Sequence, residues 1–239
     1  PGFAALGTRT YHGTQVYHCD GTRTYHVVTM GSYCWAMLPE SVAASPHPAS
    51  EVRIRLLEAM ATCVKDQGYR DTTVADVVRV ARTSRRSFYQ QFDDKRACFI
   101  ELLRTTNDAM IAAISQRVDP TAEWAVQIRQ AVEAYVEVTE QNPAIAWSWI
   151  RELPALGESA RRVQVDAMEA LIAVLMPLTD SPAMRDAGIS PIAHETAVMI
   201  WGGIRELAAS AMEQNRSLYS IVEPMVAACI ALIGANIRS

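Results

Sequence analysis

TTVADVVRVARTSRRSFYQQFDDK, residues 72–95, contains two short runs of helical apolar spacing, separated by a break at residues 82–83. Apolar residues of the first run are three, one and three positions apart, which places them on one face of a helix. They are Val74, Val77, Val78 and Ala81. Ser84 can cap a second helix, and Phe88 and Phe92, four apart, form its buried face. Two short helices joined by a tight turn are typical of a helix-turn-helix.

The arc of the second helix that faces away from Phe88 and Phe92 is polar and cationic. It carries Arg85, Arg86, Ser87, Tyr89, Gln90 and Gln91. Arginine pairs with guanine and glutamine with adenine, while Ser and Tyr hydroxyls commonly reach phosphates. Asp93 and Asp94 are placed to cap a third helix, which opens with Lys95 on the same side. The alternative interpretation is a solvated polar face on a small surface helix.

Four runs within residues 51–99 carry a resemblance to a known family. They are Ile54, Leu57, Ala61 and Val64 ahead of residues 67–69, then residues 72–77, 84–92 and 95–99. The segment resembles the N-terminal domain of the TetR family of one-component bacterial regulators. Carried over residue by residue, the resemblance implies that operator DNA is contacted by Thr73, Arg85, Arg86, Ser87, Tyr89, Gln90, Gln91 and Lys95.

The chain departs from the family pattern in three places. Arg82 stands where the family usually has glycine, which predicts a non-glycine residue in the left-handed conformation at a cost of roughly 1 kcal/mol. Gln90 and Gln91 precede Phe92 where an aromatic residue and a histidine are usual, so the histidine's phosphate contact is in doubt. Cys98 replaces a larger apolar residue. The cationic face is intact despite these changes.

Charge is divided unevenly along the chain. The 239 residues carry 22 basic and 26 acidic side chains, a net charge of −4, and 50% are hydrophobic, which excludes a disordered chain. Residues 49–96 hold ten Lys or Arg against seven acids, whereas residues 97–239 hold ten Arg, no Lys and seventeen acids. A basic N-terminal segment beside an acidic C-terminal part favours an approach to DNA through the N-terminal segment.

The cysteines and apolar runs bear on compartment and chemistry. Cys19, Cys34, Cys63, Cys98 and Cys229 follow no zinc or disulfide spacing, and the last three lie on helical apolar faces as small buried hydrophobes. We therefore expect a reducing cytoplasm. No apolar run approaches the ~18 residues of a membrane span. Without paired carboxylates, a Cys-His couple or a Gly-rich phosphate loop, we expect neither an enzyme nor a metal or other cofactor.

Residues 1–48 contain a short repeat. GTRTYH at residues 7–12 recurs at residues 21–26, and GTQVYH at residues 13–18 is a degenerate copy. A few short copies cannot build a core of their own, which predicts an irregular or disordered extension. Its His and Cys residues match no standard metal site.

The same repeat suggests two origins for this segment. One hypothesis is that repetitive upstream DNA is translated from too early a start, with Met30 or Met37 as the true first residue. The rival is a disordered arm that reaches DNA through Arg9 and Arg23. Mass spectrometry of the native protein decides, because a native peptide containing Tyr17 would contradict the first hypothesis.

Beyond Lys95 the apolar spacing predicts helices almost throughout. The expected helices cover residues 94–118, 121–142, 143–153, 158–176, 191–214 and 217–237, with a Pro/Gly-rich loop at residues 177–191. Ahead of the helix-turn-helix, a helix from residue 50 to about 67 should end at Gly68. We predict an all-α fold: a three-helix DNA-binding domain, residues 49–96, and a larger helical effector-binding and dimerisation domain, residues 97–239.

Large, adaptable side chains in the C-terminal part suggest a ligand pocket, with packed core as the alternative for each. The candidates are Met110, Tyr135, Trp147, Trp149, Met168, Met199 and Trp201, with Arg151 as a polar contact. The resemblance favours a pocket, since TetR-like regulators bind a small effector in this domain. His194, Glu195 and Glu206 are further polar candidates. Because there are so few polar candidates, we expect a mostly apolar effector.

The last two helices suggest self-association. Ala197, Trp201, Ile204, Ala208 and Ala211 form one stripe, and residues 202–203, both glycine, allow close helix approach. A homodimer would place two recognition helices on a palindromic site, about 34–36 Å apart. The expected function is a repressor released from its operator by the effector. The alternatives are a helical lipid carrier or enzyme, and a DNA-binding dimer without an effector.

Overall fold

The computed structural model describes residues 14–19, 23–30, 33–39 and 48–234. Residues 48–234 form helices joined by turns, which confirms the all-α prediction for this part of the chain. The helices are α1 (Pro48–Asp71), α2 (Val74–Val80), α3 (Arg85–Gln91), α4 (Lys95–Arg117), α5 (Trp124–Gln141), α6 (Pro143–Trp147), α7 (Glu158–Thr179), α8 (Pro182–Asp186), α9 (His194–Glu213) and α10 (Val222–Gly234). A π-helical turn (Ser148–Glu152) and 3-10 turns (Leu153–Leu156 and Leu218–Ile221) lie between them.

The loop predicted at residues 177–191 is partly wrong. Helix α7 continues to Thr179, and α8 follows almost at once. Ser181 caps α8 by accepting a hydrogen bond from the Met184 amide, and the Met184 side chain is buried. Pro182 is the first residue of α8, where its missing N–H costs nothing, so a Pro-rich segment can still begin a helix.

Helices α1–α3 and the start of α4 share one hydrophobic core. Its centre consists of fully buried side chains, Leu56, Met60, Val77, Phe88 and Phe99. Tyr69 stacks on Phe99 with ring centroids 3.9 Å apart. Gly68, with φ at +79°, interrupts α1 as predicted, so that the chain can turn toward α2.

A second core lies among α5, α7, α9, α10 and the C-terminal part of α4. Val136 and Leu171 are among its most buried members, and Ala208 and Ala211 allow α9 to lie close to its neighbours. The Arg129 guanidinium donates to both carboxylate oxygens of Glu223, at 2.6 and 2.9 Å, and so joins α5 to α10. Within residues 48–234, each described helix is too short or too polar to cross a membrane.

The described residues before α1 form a three-stranded antiparallel sheet and not the irregular extension expected there. Strands β1 (Thr14–Cys19), β2 (Arg23–Met30) and β3 (Tyr33–Pro39) pair in that order. β1 and β2 pair two copies of the repeat, with Tyr17 opposite Tyr25. The repeat is rich in Thr, Tyr and Val, which fit a pleated surface, and this preference outweighs its weak alternation.

Cys63, Cys98 and Cys229 are buried free thiols, which confirms that they act as small hydrophobes. Burial raises the pKa of Cys98 to about 12 and that of Cys229 to about 11, so both remain protonated at neutral pH. The predictions for the side chains of Cys19 and Cys34 fall outside the described residues.

Candidate nucleic-acid interface and ligand cavities

Reciprocal hydrogen bonds fix the start of α2. The Thr73 hydroxyl accepts from the Asp76 amide at 3.2 Å, and the Asp76 carboxylate accepts from the Thr73 amide at 3.1 Å and from its hydroxyl at 2.6 Å. This capping box satisfies backbone donors that the helix leaves free. The hydroxyl bond, more than any other contact, lowers the pKa of Asp76. Thr73 itself is exposed at the entrance to the helix-turn-helix.

A tight turn then orients α3. Arg82 takes the left-handed conformation, with φ at +50°, as its position in place of glycine predicts. Ser84 caps α3, since its hydroxyl accepts from the Ser87 amide at 3.0 Å. Phe88 and Phe92 are buried and anchor one face of the helix. The opposite face is therefore held outward.

The outward face of α3 carries the residues expected to read DNA. Arg85, Arg86, Tyr89 and Gln90 are exposed, whereas Ser87 and Gln91 are half-buried. The Tyr89 side chain is 57% exposed, with its ring edge against Phe88. No carboxylate in the described ranges forms a salt bridge with Arg85 or Arg86. These two guanidinium groups are available to an anionic partner.

Arg53, which sequence reasoning missed, holds the far end of α3. Its guanidinium donates to the Gln91 carbonyl at 2.8 Å, lies 4.3 Å from the centre of the Phe92 ring and pairs with Glu101 at 3.0 Å. A single side chain of α1 thus contacts both α3 and α4. The recognition helix is fixed at its N-terminal cap and at its C-terminal end.

Lys95 lies differently from its expected place on the DNA-facing side. Its ammonium donates to the carbonyls of Tyr69 at 2.9 Å, Thr72 at 2.8 Å and Arg70 at 3.4 Å, and lies 4.2 Å from the centre of the Tyr69 ring. Three acceptors match the three N–H donors of an ammonium group. The carbonyls where α1 ends attract a cation. Burial lowers the pKa of Lys95, and its contacts join α4 to α1.

The larger of two cavities in the helical domain has a volume of about 80 Å³ and lies between α5, α7 and α9. Its wall is almost wholly apolar and includes Ile128, Leu171 and Ile204. The polar exceptions are Thr179 and Gln127, a residue that sequence reasoning missed although it interrupts an apolar stripe. Such a wall selects apolar ligands.

A second cavity of about 50 Å³ adjoins the first. Tyr135 and Trp201 line both cavities, with ring centroids 5.3 Å apart in an edge-to-face arrangement. Burial raises the pKa of Tyr135 to about 12, so this part of the wall stays neutral. The second cavity is more polar because Arg205 and Asn107 line it. Burial lowers the pKa of Arg205.

The structure brings five of the predicted pocket residues together around these cavities. They are Met110, Tyr135, Trp149, Met168 and Trp201. Arg205 was missed, although it lies four residues after Trp201 and thus on the same face of α9.

The other predicted pocket residues lie outside the two cavities. Met199 is 65% exposed on α9. Arg151 pairs with Glu206 at 2.8 Å and Glu213 at 3.1 Å on the surface, where it lies 5.9 Å from the Trp147 ring. Trp147 itself borders a shallow open groove. Arg151, Glu206 and Glu213 satisfy one another, which explains why none of the three faces either cavity.

The remaining polar candidates are also on the surface. His194 Nε2 lies 3.1 Å from the Glu169 carboxylate, and both side chains are about half exposed. Glu195 is exposed at the start of α9.

The stripe predicted for dimerisation faces inward. Ala197, Ala208 and Ala211 are buried in the second core, and Trp201 and Ile204 line the larger cavity. The outer face of α9 and α10 is a different set of small or apolar residues. This outer stripe consists of Met199, Gly202, Gly203, Leu207, Ala227, Ala228, Ala231 and Leu232, all exposed. A side-chain carbon added at either glycine would meet nothing within 4 Å.

Helix α4 belongs to both cores. Near its start, Phe99 and Leu103 are buried in the first core, while Met110 lines the second cavity and Ile114 the larger one. Trp149 contacts both cores, and its indole N–H donates to the Leu103 carbonyl at 3.2 Å. A displacement at the cavities therefore has a direct route to the helix-turn-helix.

Comparisons of sequence match part of the chain. Residues 56–102 fit the model of the family described as bacterial regulatory proteins, tetR family. The transcriptional activator FasR of Mycolicibacterium smegmatis is 26% identical over 95 residues, 40% of this chain and 43% of FasR. The transcriptional regulator HbdR of Aromatoleum sp. is 27% identical over 101 residues, 42% of this chain and 44% of HbdR. The chain spans less than half the length of these curated relatives.

Solved structures resemble about three quarters of the chain. FadR from Bacillus subtilis, in complex with stearoyl-CoA, superposes with a TM-score of 0.65 at 14% identity, covering 75% of this chain and 97% of FadR. TetR from Rhodobacter sphaeroides superposes with a TM-score of 0.60 at 17% identity, covering 73% and 97% of the two chains. At such low identity these likenesses show the fold alone.

Proposed function

We propose that this chain, a member of the TetR family of bacterial regulatory proteins, is a transcriptional regulator that binds operator DNA as a homodimer and releases it when a small, mostly apolar molecule enters its helical domain. The observation that carries the proposal is the outward face of α3. There Arg85 and Arg86 stand exposed and without a carboxylate partner among the described residues. A regulator of this kind acts in the cytoplasm, where the DNA lies, and repression is the proposed direction.

Charge and geometry support DNA as the partner of α3. An arginine that reaches a base edge gives sequence preference, while hydroxyls such as that of Ser87 give orientation by contacting phosphates. The basic excess of residues 49–96 attracts the duplex, and the acidic excess of residues 97–239 keeps the second domain away from it. The fixed ends of α3 reduce the entropy lost on binding.

The outer stripe supports a symmetric dimer. Met199, Leu207 and Leu232 expose apolar surface along α9 and α10, and the glycines and alanines between them allow close approach of a second copy. An isologous contact through these two helices would build a four-helix interface. Two copies of α3 would then face successive major grooves of a palindromic operator.

The cavities indicate the size and polarity of the effector. An engineered apolar cavity of ~150 Å³ holds one benzene molecule, and the two cavities here measure about 80 and 50 Å³. A single ring therefore requires the larger cavity to widen, or the two cavities to join through movement of Tyr135 and Trp201. A long acyl chain such as that of the FadR ligand requires Tyr135 and Trp201 to separate. The polar side of the ligand would meet Arg205.

Release follows as a population shift. A ligand between α4, α5 and α9 favours the arrangement of helices that best accommodates it. Because α4 begins in the first core and ends at the cavities, its displacement changes the spacing of the two α3 helices. The ligand's different affinities for the two arrangements set the extent of release.

The test of DNA binding is a footprint on the DNA upstream of the chain's own gene, followed by affinity measurements over a range of salt concentrations. We expect a palindromic protected site and affinity that falls steeply with salt. Arg85→Ala or Arg86→Ala should cost about 1–3 kcal/mol if either reads a base. Arg162→Ala, an equally exposed arginine on α7, is the control. Unchanged affinity in both α3 variants would contradict the proposed surface.

The same assay separates the alternatives. A helical lipid carrier or enzyme would bind no operator. A DNA-binding dimer without an effector would bind it and keep it bound when single-ring or short-chain acids, alcohols and phenols are added. Release by at least one such compound, with a reporter showing the direction of regulation, supports the proposal.

A further inference from the structure

Behind the apolar wall of the larger cavity lies one buried polar group that the proposed function does not use. Gln127 lies on α5, is only 2% exposed and lines this cavity. The walls around it are apolar, with Ile128, Val132 and Leu175 among its neighbours in the lining. A primary amide rarely occupies such a place unless its polar atoms have partners.

The two ends of this amide have different surroundings. Its nitrogen donates to the Ala122 carbonyl at 2.7 Å and to the Pro120 carbonyl at 3.4 Å. Both partners are acceptors, so they fix the nitrogen toward the α4–α5 connection and the oxygen away from it. Among the residues that the structure describes, Gln127 Oε1 is the buried side-chain oxygen or nitrogen that has no hydrogen-bond partner.

Thr179, another polar residue of the lining, is already satisfied. The Thr179 hydroxyl donates to the Met176 carbonyl at 2.8 Å within α7. Thr179 therefore serves as a matched control, because it lines the same cavity while its hydroxyl proton is used.

We propose that Gln127 Oε1 becomes the specificity contact of the larger cavity when a ligand widens it, and that this ligand is a neutral, compact, mostly apolar molecule that donates one hydrogen bond through a hydroxyl or N–H group. The inference rests on the ligand-binding role of the helical domain proposed above. A donor restores the bond that the buried oxygen lacks. A carboxylate at this position is disfavoured, because its oxygens only accept and would face another acceptor in an apolar space.

Three single-ring probes separate the contribution of a hydrogen-bond donor to affinity from the contribution of the ring. Phenol donates a hydrogen bond, anisole can only accept one, and toluene does neither. Titrations of the full chain labelled with ¹³C at the methionine methyl groups report the site, since Met184 lines the larger cavity and Met110 and Met168 line the second. We expect phenol to shift the Met184 signal and to bind about tenfold more tightly than toluene or anisole.

Two variants then assign the preference to one side chain. Gln127→Leu should lose the preference for phenol while binding toluene at least as well as the unchanged chain does. Thr179→Val should keep the preference. Gln127→Leu also loses the contacts to the α4–α5 connection, so thermal unfolding is measured on each variant. The probe series on the unchanged chain stands by itself if this variant does not fold.

Equal affinity for phenol and toluene in the unchanged chain would overturn the inference, as would a preference retained in folded Gln127→Leu. Shifts confined to Met110 and Met168 would overturn it too. Operator binding, measured on the same samples, is a separate result. Loss of operator binding with the phenol preference intact would sink the proposed function and leave the Gln127 contact in place.

Discussion

The two halves of this chain are packed in different ways. In the half that contains the helix-turn-helix, large side chains such as Leu56, Phe88 and Phe99 are fully buried, and Arg53 and Lys95 join its helices through satisfied hydrogen bonds. The helical half has two cavities, a π-helical turn and a buried amide oxygen without a partner. A surface that reads bases must be held rigidly. A domain that binds a ligand needs cavities and polar groups that the ligand can satisfy.

The π-helical turn lies where the two halves meet. Such turns are uncommon and often mark functional sites. In this chain Trp149 and Ile150 of the turn line the second cavity, while Ile145 just before it and Leu153 just after it belong to the first core. The π-helical turn thus connects the first core to the half that contains the cavities.

The largest expected effect comes from breaking the packed half. Phe88→Ala removes a fully buried ring, which should cost about 3–5 kcal/mol of unfolding free energy and abolish operator binding. Its neighbour provides the control, since Tyr89→Ala removes an exposed side chain whose ring contact with Phe88 contributes only about 0.5–1.5 kcal/mol. Denaturant unfolding measures both. A similar loss in the two variants would show that the first core is not organised around Phe88.

The next largest effect tests the outer stripe. The double variant Met199→Glu with Ala231→Glu places charges on the exposed faces of α9 and α10. We expect a folded monomer and an operator affinity lower by roughly 10²–10⁴, because the two half-sites are no longer bound together. Val126→Glu, on an exposed position of α5, is the control. Sedimentation measures the oligomeric state, and titration measures operator affinity. A double variant that remained a dimer with full affinity would contradict the outer stripe as the dimer interface.

A smaller effect concerns the contact between the halves. Trp149→Phe keeps a large ring against both cores but removes the hydrogen bond to the Leu103 carbonyl. A neutral hydrogen bond contributes about 0.5–1.5 kcal/mol, so ligand-induced release of DNA should weaken by roughly two- to tenfold. Operator affinity without ligand should not change. If release is unaltered while ligand affinity is also unaltered, coupling between the halves does not pass through this bond.

Local signals in the sequence were sufficient to predict the half that contains the helix-turn-helix. Each of its structural signals depends on residues within one turn of helix. These signals are the caps at Thr73 and Ser84, the helix end at Gly68 and the apolar stripe of Phe88 and Phe92. Helix existence, the turn and the exposed arc of α3 could therefore be predicted. The place of Lys95 could not, because its partners lie 23 to 26 residues away, at the end of α1 and in the turn that follows it.

Long-range packing decided what the sequence could not show in the helical half. Met199 and Trp201 are two residues apart on α9, yet one is exposed and the other lines both cavities. Both looked equally suited to a pocket, because helical spacing alone does not say which face meets α5 and α7. Gln127 and Arg205 were overlooked for the same reason, since a polar residue on an apolar stripe becomes informative only when its surroundings are known.

The smallest expected effect sharpens the comparison at the turn of the rigid half. Arg82 holds φ at +50°, a conformation that costs a non-glycine residue roughly 1 kcal/mol. Arg82→Gly should therefore stabilise the chain slightly, by at most about 0.5 kcal/mol once the greater freedom of glycine in the unfolded chain is subtracted. Arg82→Ala keeps the strain and should show no such gain, so the pair separates backbone strain from the loss of a charge. Equal stability of the two variants in denaturant unfolding would mean that the turn bears no strain, and that the rigidity of α3 comes from its caps and from Arg53 alone.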